Sequence, residues 1–263
     1  MPRTLAAMDP TAAARPSPRR GTVRRAGADL VLFLLAAAVT ALVTGAVRGD
    51  GRPVPVPPDA AGPLRPTTTA GAARAALDRL AVLPRRPDRP GYDRSCGAGA
   101  ACVFGAPWTD AVDVPLGHNG IDTRTDVVDR DTGPDGVLTD AYSGAVTDRV
   151  EVDHVVPLAA AWDLGAAGWP PQRRRAFAND PLELLAVDAA QNQAKSDLTP
   201  GDWRTCLRDE GRCRRARPPT WTPRAAIRCA YAQRYVDVCT SYGLPVTADD
   251  LAALREMLAT CPA

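Results

Sequence analysis

The sequence of 263 residues is poor in lysine and histidine. It contains one lysine, Lys195, and two histidines, His118 and His154. Because histidine is the side chain whose ordinary pKa lies nearest neutrality, only two positions can supply a proton acceptor of that kind. Arginine carries almost all the basic charge, and the formal net charge is only +2. This balance excludes a strong overall field for nucleic acid, so any such attraction must be local.

No pair of cysteines has the Cys-x-x-Cys spacing of structural zinc sites. The sequence therefore gives no support for a zinc-finger class of protein. All seven cysteines follow an apolar run that ends at residue 47, where an exported domain would meet an oxidising compartment. We predict three disulfides and one unpaired thiol. The pairs are Cys96–Cys102, Cys206–Cys213 and Cys229–Cys261, and the unpaired thiol is Cys239.

The apolar run separates a basic start from the rest of the chain. Residues 1–27 are basic and predicted to be cytoplasmic. Residues 28–47 reach the threshold length of a spanning helix, and we interpret them as a transmembrane signal anchor or a signal peptide. Residues 48–71 are rich in Pro, Gly and Thr and are predicted to be a linker. We expect residues 72–263 to fold outside the cell, either on the extracellular face of the cell membrane or as a secreted domain.

Hydrophobic spacing predicts a helix over residues 72–83, and residues 103–150 are expected to be loop-rich with short strands. Capping residues predict two helices near the C-terminus. The first would begin at Thr222 and run to Cys239, and the second would begin at Thr247.

The stretch from residue 150 to residue 195 is predicted to contain two strands followed by a helix. Residues 150–156 have the β-branched content of a strand, and Pro157 ends it. Residues 184–187 are predicted to be the second strand and residues 189–195 the helix. Residues 158–165 and 170–178 are expected to be helical. The chain is therefore expected to be a mainly helical α+β domain with an embedded ββα unit.

An acid and a histidine lie side by side at the end of the first strand. In a regular strand Asp153 and His154 would point to opposite faces, so a local bend is required for both to face one ligand. Downstream, Asn192 and Lys195 are three residues apart and share a helix face. Carboxylate and amide oxygens suit Mg²⁺ or Mn²⁺, and a lysine can contact phosphate. Taken alone, the acid and histidine are more typical of a structural hydrogen-bonded pair than of a metal or catalytic site.

As an ordered set, these residues resemble the HNH, or His-Me finger, nucleases. More closely, the chain is similar to secreted HNH-like proteins that share a domain with the C-terminal part of GmrSD-type restriction enzymes. The resemblance covers about residues 72–261. It is carried by Trp203 and by residues 91–94 (GYDR), 121–124 (IDTR), 140–144 (DAYSG), 152–159 (VDHVVPLA), 177–181 (FANDP), 184–187 (LLAV) and 192–195 (NQAK).

The resemblance implies a ββα-metal site with one divalent ion, Mg²⁺ foremost and Mn²⁺ as a second option. Asp153 and Asn192 would be the metal ligands, and His154 would be the general base. Lys195 would bind phosphate or brace the site. The family has an asparagine before the helix that orients the base. Here Glu183 stands at that place, and Asn179 is the asparagine nearby, so both are candidates for the orienting role.

The expected function is that of an exported or membrane-tethered metal-dependent endonuclease. Its substrate would be nucleic acid, DNA foremost and RNA as a second option, and no protein partner is predicted. The alternative is a non-catalytic surface module that binds nucleic acid or a partner through a decayed site. Arg124 could bind substrate phosphate or pair with Asp129 or Asp131. Residues 201–240 carry nine arginines against four acids and form a candidate basic patch, whereas His118 is expected at the surface.

Overall fold

The computed structural model describes residue 64 and residues 67–208 and 221–262. Its helices are α1 (Ala70–Leu77), α2 (Thr123–Asp131), α3 (Leu158–Leu164), α4 (Pro171–Ala178), α5 (Ala189–Lys195), α6 (Arg204–Arg208), α7 (Arg228–Tyr242) and α8 (Ala248–Leu258). Short 3₁₀ turns lie at Ala166–Gly168 and Ala225–Ile227. The strands are β1 (Val82–Leu83), β2 (Leu138–Thr139), β3 (Val146–Thr147), β4 (Val150–His154), β5 (Leu184–Asp188) and β6 (Val246–Thr247).

The strands form small sheets among the helices, which gives the expected α+β class. β1 pairs in parallel with β6, and β2 pairs antiparallel with β3. β4 and β5 are antiparallel, with Val150 opposite Asp188 and His154 opposite Leu184. Helix α5 follows β5 without an intervening loop. Two paired strands and a helix therefore occur where the sequence predicts them, with α3 and α4 between the strands.

Helix α7 supplies the centre of the core. Its side chains Tyr231, Tyr235 and Val236 are completely buried, as is Trp203 from the turn before α6. Tyr231 and Trp203 meet edge to face at 5.4 Å between ring centroids, a favoured aromatic geometry. Helices α1 and α8 pack against α7. Helix α7 therefore forms the buried centre of the fold, against which α1 and α8 pack.

Two of the predicted disulfides are confirmed. Cys96 is bonded to Cys102, and Cys229 in α7 is bonded to Cys261 after α8. Cys239 is a buried free thiol, as predicted. The third predicted pair, Cys206–Cys213, falls outside the described side chains.

The ends of two helices differ from their predictions. Helix α1 ends at Leu77 rather than residue 83, because Val82 and Leu83 are extended and pair with β6 instead of continuing the helix. Helix α7 begins at Arg228 rather than Thr222. Residues 222–224 are irregular and a 3₁₀ turn follows at Ala225–Ile227, and the Arg224 amide donates to the carbonyl of Tyr142 at 3.0 Å. A tertiary bond therefore overrides the local signal for a helix start.

Helix α2 lies in the region predicted to be loops and short strands. Asp122 caps its N-terminus by accepting from the Thr125 amide at 3.0 Å. Within the helix only Thr123, Val127 and Asp131 are buried, so the apolar stripe that would announce a helix is nearly missing. The second capping prediction is confirmed, because Thr247 and Asp250 form a reciprocal capping box at the start of α8.

In the described part of the chain, no helix has both the length and the apolar character needed to cross a membrane. Residues 1–27 and the predicted anchor or signal segment, residues 28–47, lie outside that part. Upstream of residue 72, Leu64 is buried in the core and the Thr68 carbonyl accepts from Gln233 Nε2 at 2.7 Å. Contacts with the fold therefore begin several residues before the predicted end of the linker.

Candidate functional site

The site lies where α5 packs against the strands β4 and β5. Asp188, the last residue of β5, caps α5 by accepting from the Ala190 amide at 2.9 Å. Glu151 of β4 holds the next turn of the helix, because its carboxylate accepts from Asn192 Nδ2 at 2.8 Å and from Gln193 Nε2 at 3.3 Å. These bonds fix the helix, and with it Asn192, beside β4.

Asp153 is buried and held by two side chains. The Tyr142 hydroxyl donates to its Oδ2 at 2.5 Å, and Lys195 Nζ donates to its Oδ1 at 3.0 Å. The same Nζ donates to the His154 carbonyl at 2.8 Å, and none of the lysine side chain is exposed. Burial raises the pKa of Asp153, while the charge of Lys195 opposes that shift. Lys195 therefore ties α5 to the end of β4.

His154 is also buried, and its ring has one defined hydrogen bond. Its Nε2 lies 3.1 Å from the carbonyl oxygen of Ala178. Because a carbonyl only accepts, Nε2 carries the ring proton and Nδ1 keeps a free lone pair. Burial, with the charges of Arg94 and Lys195, lowers the pKa of His154 to about 3. The imidazole is therefore neutral at neutral pH and able to accept a proton. Trp108 stacks on the ring, with 6.0 Å between centroids.

Neither candidate for orienting the histidine bonds to its ring. Glu183 is completely buried and accepts from the Val156 amide at 3.1 and 3.2 Å through its two oxygens. Asn179 donates to the Arg175 carbonyl at 2.9 Å at the end of α4. Burial raises the pKa of Glu183 well above its ordinary value, which favours the neutral acid. Both side chains hold backbone next to the site, whereas the Ala178 carbonyl orients the imidazole.

Three of the predicted residues line one surface cleft of about 530 Å³: Asp153, His154 and Asn192. Tyr92, Arg94 and Asp197 contribute to the same cleft. Strand β4 ends at His154. The alternation of side chains between the two faces of the strand therefore stops there, and both Asp153 and His154 reach the cleft. Lys195 is absent from the lining and lies buried behind Asp153. Its geometry agrees with the bracing alternative and not with direct contact to a substrate phosphate.

Other predicted residues lie away from this cleft or have protein partners. Arg124 donates to the Val150 carbonyl at 3.1 Å, whereas Asp131 pairs with Arg130 at 2.7 Å. The expected pairing of Arg124 with Asp129 or Asp131 is therefore not what the structure has. His118 is exposed and lies 3.0 Å from Asp113, in agreement with the surface interpretation.

The candidate basic patch is partly consumed by contacts within the protein. Arg234 is buried against the carbonyls of Pro181 and Leu182, and Arg208 pairs with Glu256 at 2.6 Å. Arg204 also approaches Glu256, at 3.4 Å. The stretch 209–220, which holds four of the nine arginines, lies outside the described residues.

Four contributors to the site carried no assigned role in the sequence: Tyr142, Trp108, Arg94 and the Ala178 carbonyl. Tyr142 and Arg94 fall in two of the stretches that carry the family resemblance, so that signal could have found them. Trp108 has a left-handed backbone, φ 58°, which no sequence pattern announces. A backbone carbonyl has no residue signature at all.

The chain is thus an α+β protein with an acid, a histidine and an asparagine in one cleft, and its sequence matches a known protein family. Residues 124–257 match the C-terminal domain of GmrSD restriction endonucleases. The chain belongs to this family, which indicates a nuclease-like function and nucleic acid as the substrate. An "Uncharacterized secreted protein" of Arthroderma benhamiae is 31% identical over 229 residues, spanning 85% of this chain and 95% of that protein. No solved structure gave a significant match.

Proposed function

We propose that this protein is an exported, metal-dependent endonuclease of the HNH type that hydrolyses phosphodiester bonds, with DNA as the main substrate. The observation that carries the proposal is the convergence of Asp153, His154 and Asn192 on one cleft, built from two strands and the helix that follows them. Membership in a restriction-endonuclease domain family supports the reaction class.

In the proposed reaction, His154 is the general base. Its Nδ1 takes a proton from water while the water oxygen bonds to phosphorus and the bond from phosphorus to the 3′ oxygen breaks. Without a phosphate, burial and the cations Arg94 and Lys195 hold the pKa of His154 at about 3. A bound phosphate anion would raise that pKa, so the imidazole becomes a stronger base when substrate is present.

The donor set fits a hard divalent ion that keeps several water molecules. Asn192 donates through Nδ2 to Glu151, which leaves its Oδ1 as a ligand oxygen. Asp153 accepts from Tyr142 and Lys195 and retains acceptor capacity, since a carboxylate offers about four positions. Among the described residues no cluster of three or more His, Cys, Asp or Glu side chains could form an all-protein cage. Once bound by Asp153 and Asn192, Mg²⁺ or Mn²⁺ would offset charge on the phosphate and leaving oxygens.

Export is supported by the disulfides Cys96–Cys102 and Cys229–Cys261, which persist in oxidising compartments. The relative from Arthroderma benhamiae is itself described as secreted. We propose that residues 28–47 direct this export as a signal peptide or a signal anchor.

The test is degradation of plasmid DNA in Mg²⁺ or Mn²⁺, with and without a chelator. We expect His154→Ala to lose activity by at least about 100-fold, the usual contribution of a general base. His118→Ala is the matched control, because it removes the other histidine from the exposed surface. Equal activity of wild type and His154→Ala would overturn the assignment.

A non-catalytic binding module is the second candidate, and one observation favours it. Asp153, the expected metal ligand, is already engaged by Lys195 and Tyr142. This candidate predicts that the protein binds DNA and cleaves none in Mg²⁺, Mn²⁺, Ca²⁺ or Zn²⁺. Metal-dependent cleavage by wild type excludes it.

A further inference from the structure

A second cavity, of about 220 Å³, adjoins the cleft and shares Arg94, His154 and Leu158 with it. Residues 104–108 (FGAPW) form much of its wall. Most of that wall is apolar. A phosphodiester is charged, so contact with an apolar surface would not stabilise it. The cavity therefore fits a different part of the substrate from the one that reacts.

The wall of this cavity includes the rings of Phe104, Trp108 and His154, which contact other aromatic side chains or each other. Phe104 is buried and packs on Phe177 and Trp162, with ring centroids 6.2 and 6.3 Å away. Trp108 is stacked on His154. The backbone at Cys102 and Trp108 has φ of 47° and 58°, a region that side-chain-bearing residues seldom adopt. Strained backbone of this kind clusters at active sites and ligand sites.

Arg94 lies where the two cavities meet. Its side chain is exposed, and within the described part of the chain its guanidinium makes no hydrogen bond or ion pair. Lys195, the other cation close to His154, is completely buried on Asp153. Arg94 is therefore the cation that a phosphate in the cleft would meet first, and a guanidinium binds phosphate through two parallel hydrogen bonds.

We propose that the second cavity is a nucleobase subsite: it holds one unpaired base while Arg94 binds the phosphate of the same nucleotide in the cleft. The proposal rests on the nuclease function given above and adds a substrate class to it, single-stranded nucleic acid. Bases stack on aromatic rings whatever their sequence. In a duplex the base is paired and stacked, so it must leave the helix before it can enter, and an unpaired strand avoids that cost.

The first test measures binding without metal, by fluorescence anisotropy of labelled strands. The probes are a single-stranded oligodeoxynucleotide, its duplex, and a strand of equal length that lacks every base. We expect wild type to bind the base-bearing single strand about tenfold more tightly than the duplex or the abasic strand. Ala106→Trp places a large side chain in the subsite and should reduce this ratio to near one.

Ala101→Trp is the matched control, since Ala101 is exposed in the same loop region but lines neither cavity. It should keep the tenfold preference. Equal binding of base-bearing and abasic strands by wild type would overturn the subsite, as would an unchanged preference in Ala106→Trp.

Arg94→Gln should weaken binding of all three probes and lower the salt dependence by about one counterion. Arg79→Gln, an exposed arginine that lines neither cavity, should change neither.

The second test measures kcat/KM in Mg²⁺ or Mn²⁺ on the single strand and the duplex. Preferential cleavage of the single strand, lost in Ala106→Trp and kept in Ala101→Trp, is the expected result. Cleavage of both substrates at equal rates overturns the subsite and leaves the nuclease function standing. Absence of cleavage overturns the nuclease function, and the binding ratios then decide the subsite by themselves.

Discussion

At the scale of single residues, Asp153 and Lys195 depend on each other because both charges are removed from water. The Lys195 side chain is completely buried and has Asp153 and a backbone carbonyl as its partners. A buried charge that loses its partner keeps the cost of desolvation and loses the attraction that offset it. Tyr142 donates a second hydrogen bond to the same carboxylate.

We therefore expect Lys195→Met to destabilise the fold by about 3–5 kcal/mol, measured by urea unfolding. The double variant Asp153→Leu/Lys195→Met removes both charges and should recover much of that loss. Arg255→Ala, which breaks the exposed pair with Asp78, serves as the control and should cost less than about 1 kcal/mol. If Lys195→Met and Arg255→Ala cost the same, the buried pair does not have the stabilising role assigned to it.

The site residues differ in how far the sequence could specify them. The family resemblance selects Asp153, His154 and Asn192, and all three line one cleft. It also suggested Glu183 or Asn179 as the group that orients His154, whereas the observed partner is the carbonyl of Ala178. Every residue has such a carbonyl, so only the path of the chain after α4 determines which one reaches the ring.

At the scale of elements, the strands β4 and β5 and helix α5 were the most predictable part of the chain. Their β-branched runs and the proline after β4 are local signals that agree with the tertiary structure. Helix α2 was missed because most of its surface is polar and one cap marks its start. The start of α7 was misplaced because the segment near Thr222 bonds to the Tyr142 loop instead of entering the helix.

The capped start of α5 gives a pH dependence that can be measured. The Thr147 hydroxyl and the amides of Ala190 and Gln191 donate to Asp188 and lower the pKa of its carboxyl. A group whose pKa is lower in the folded state stabilises the protein above its unfolded pKa, and this contribution is lost as the pH falls through the folded value. The contribution of Asp188 is therefore complete at neutral pH and declines below about pH 4.

Asp188→Asn keeps a side chain that can cap the helix but removes this titration. We expect the free energy of unfolding of wild type to fall more steeply than that of Asp188→Asn as the pH drops from 5 to 2, measured by urea unfolding at each pH. A difference between the two proteins that stays constant over this range would contradict the role given to the Asp188 carboxylate.

At the scale of the whole molecule, the two described disulfides close loops of different length. Cys229 and Cys261 are 32 residues apart and join the central helix α7 to the chain after α8, whereas Cys96 and Cys102 are 6 residues apart. A cross-link restricts the unfolded chain more when the loop it closes is longer. The chain-entropy relation gives about 3–4 kcal/mol for the longer loop and about 2 kcal/mol for the shorter.

We expect the double variant Cys229→Ser/Cys261→Ser to lower the free energy of unfolding more than Cys96→Ser/Cys102→Ser does. The measurement is urea unfolding under non-reducing conditions. The shorter disulfide should instead affect the nucleobase subsite, because it closes the loop before residues 104–108. Equal losses of stability in the two variants would argue against loop length as the cause.

The burial of the only lysine has a practical consequence for labelling experiments. Apart from the N-terminal amine, Lys195 carries the single primary amine of the chain, and it is completely buried in the folded protein. Amine-reactive reagents should therefore modify residue 195 only when α5 separates from β4. The rate of acylation at this one position, followed by peptide mass spectrometry, would report the opening of the acid–histidine site directly, without an introduced probe.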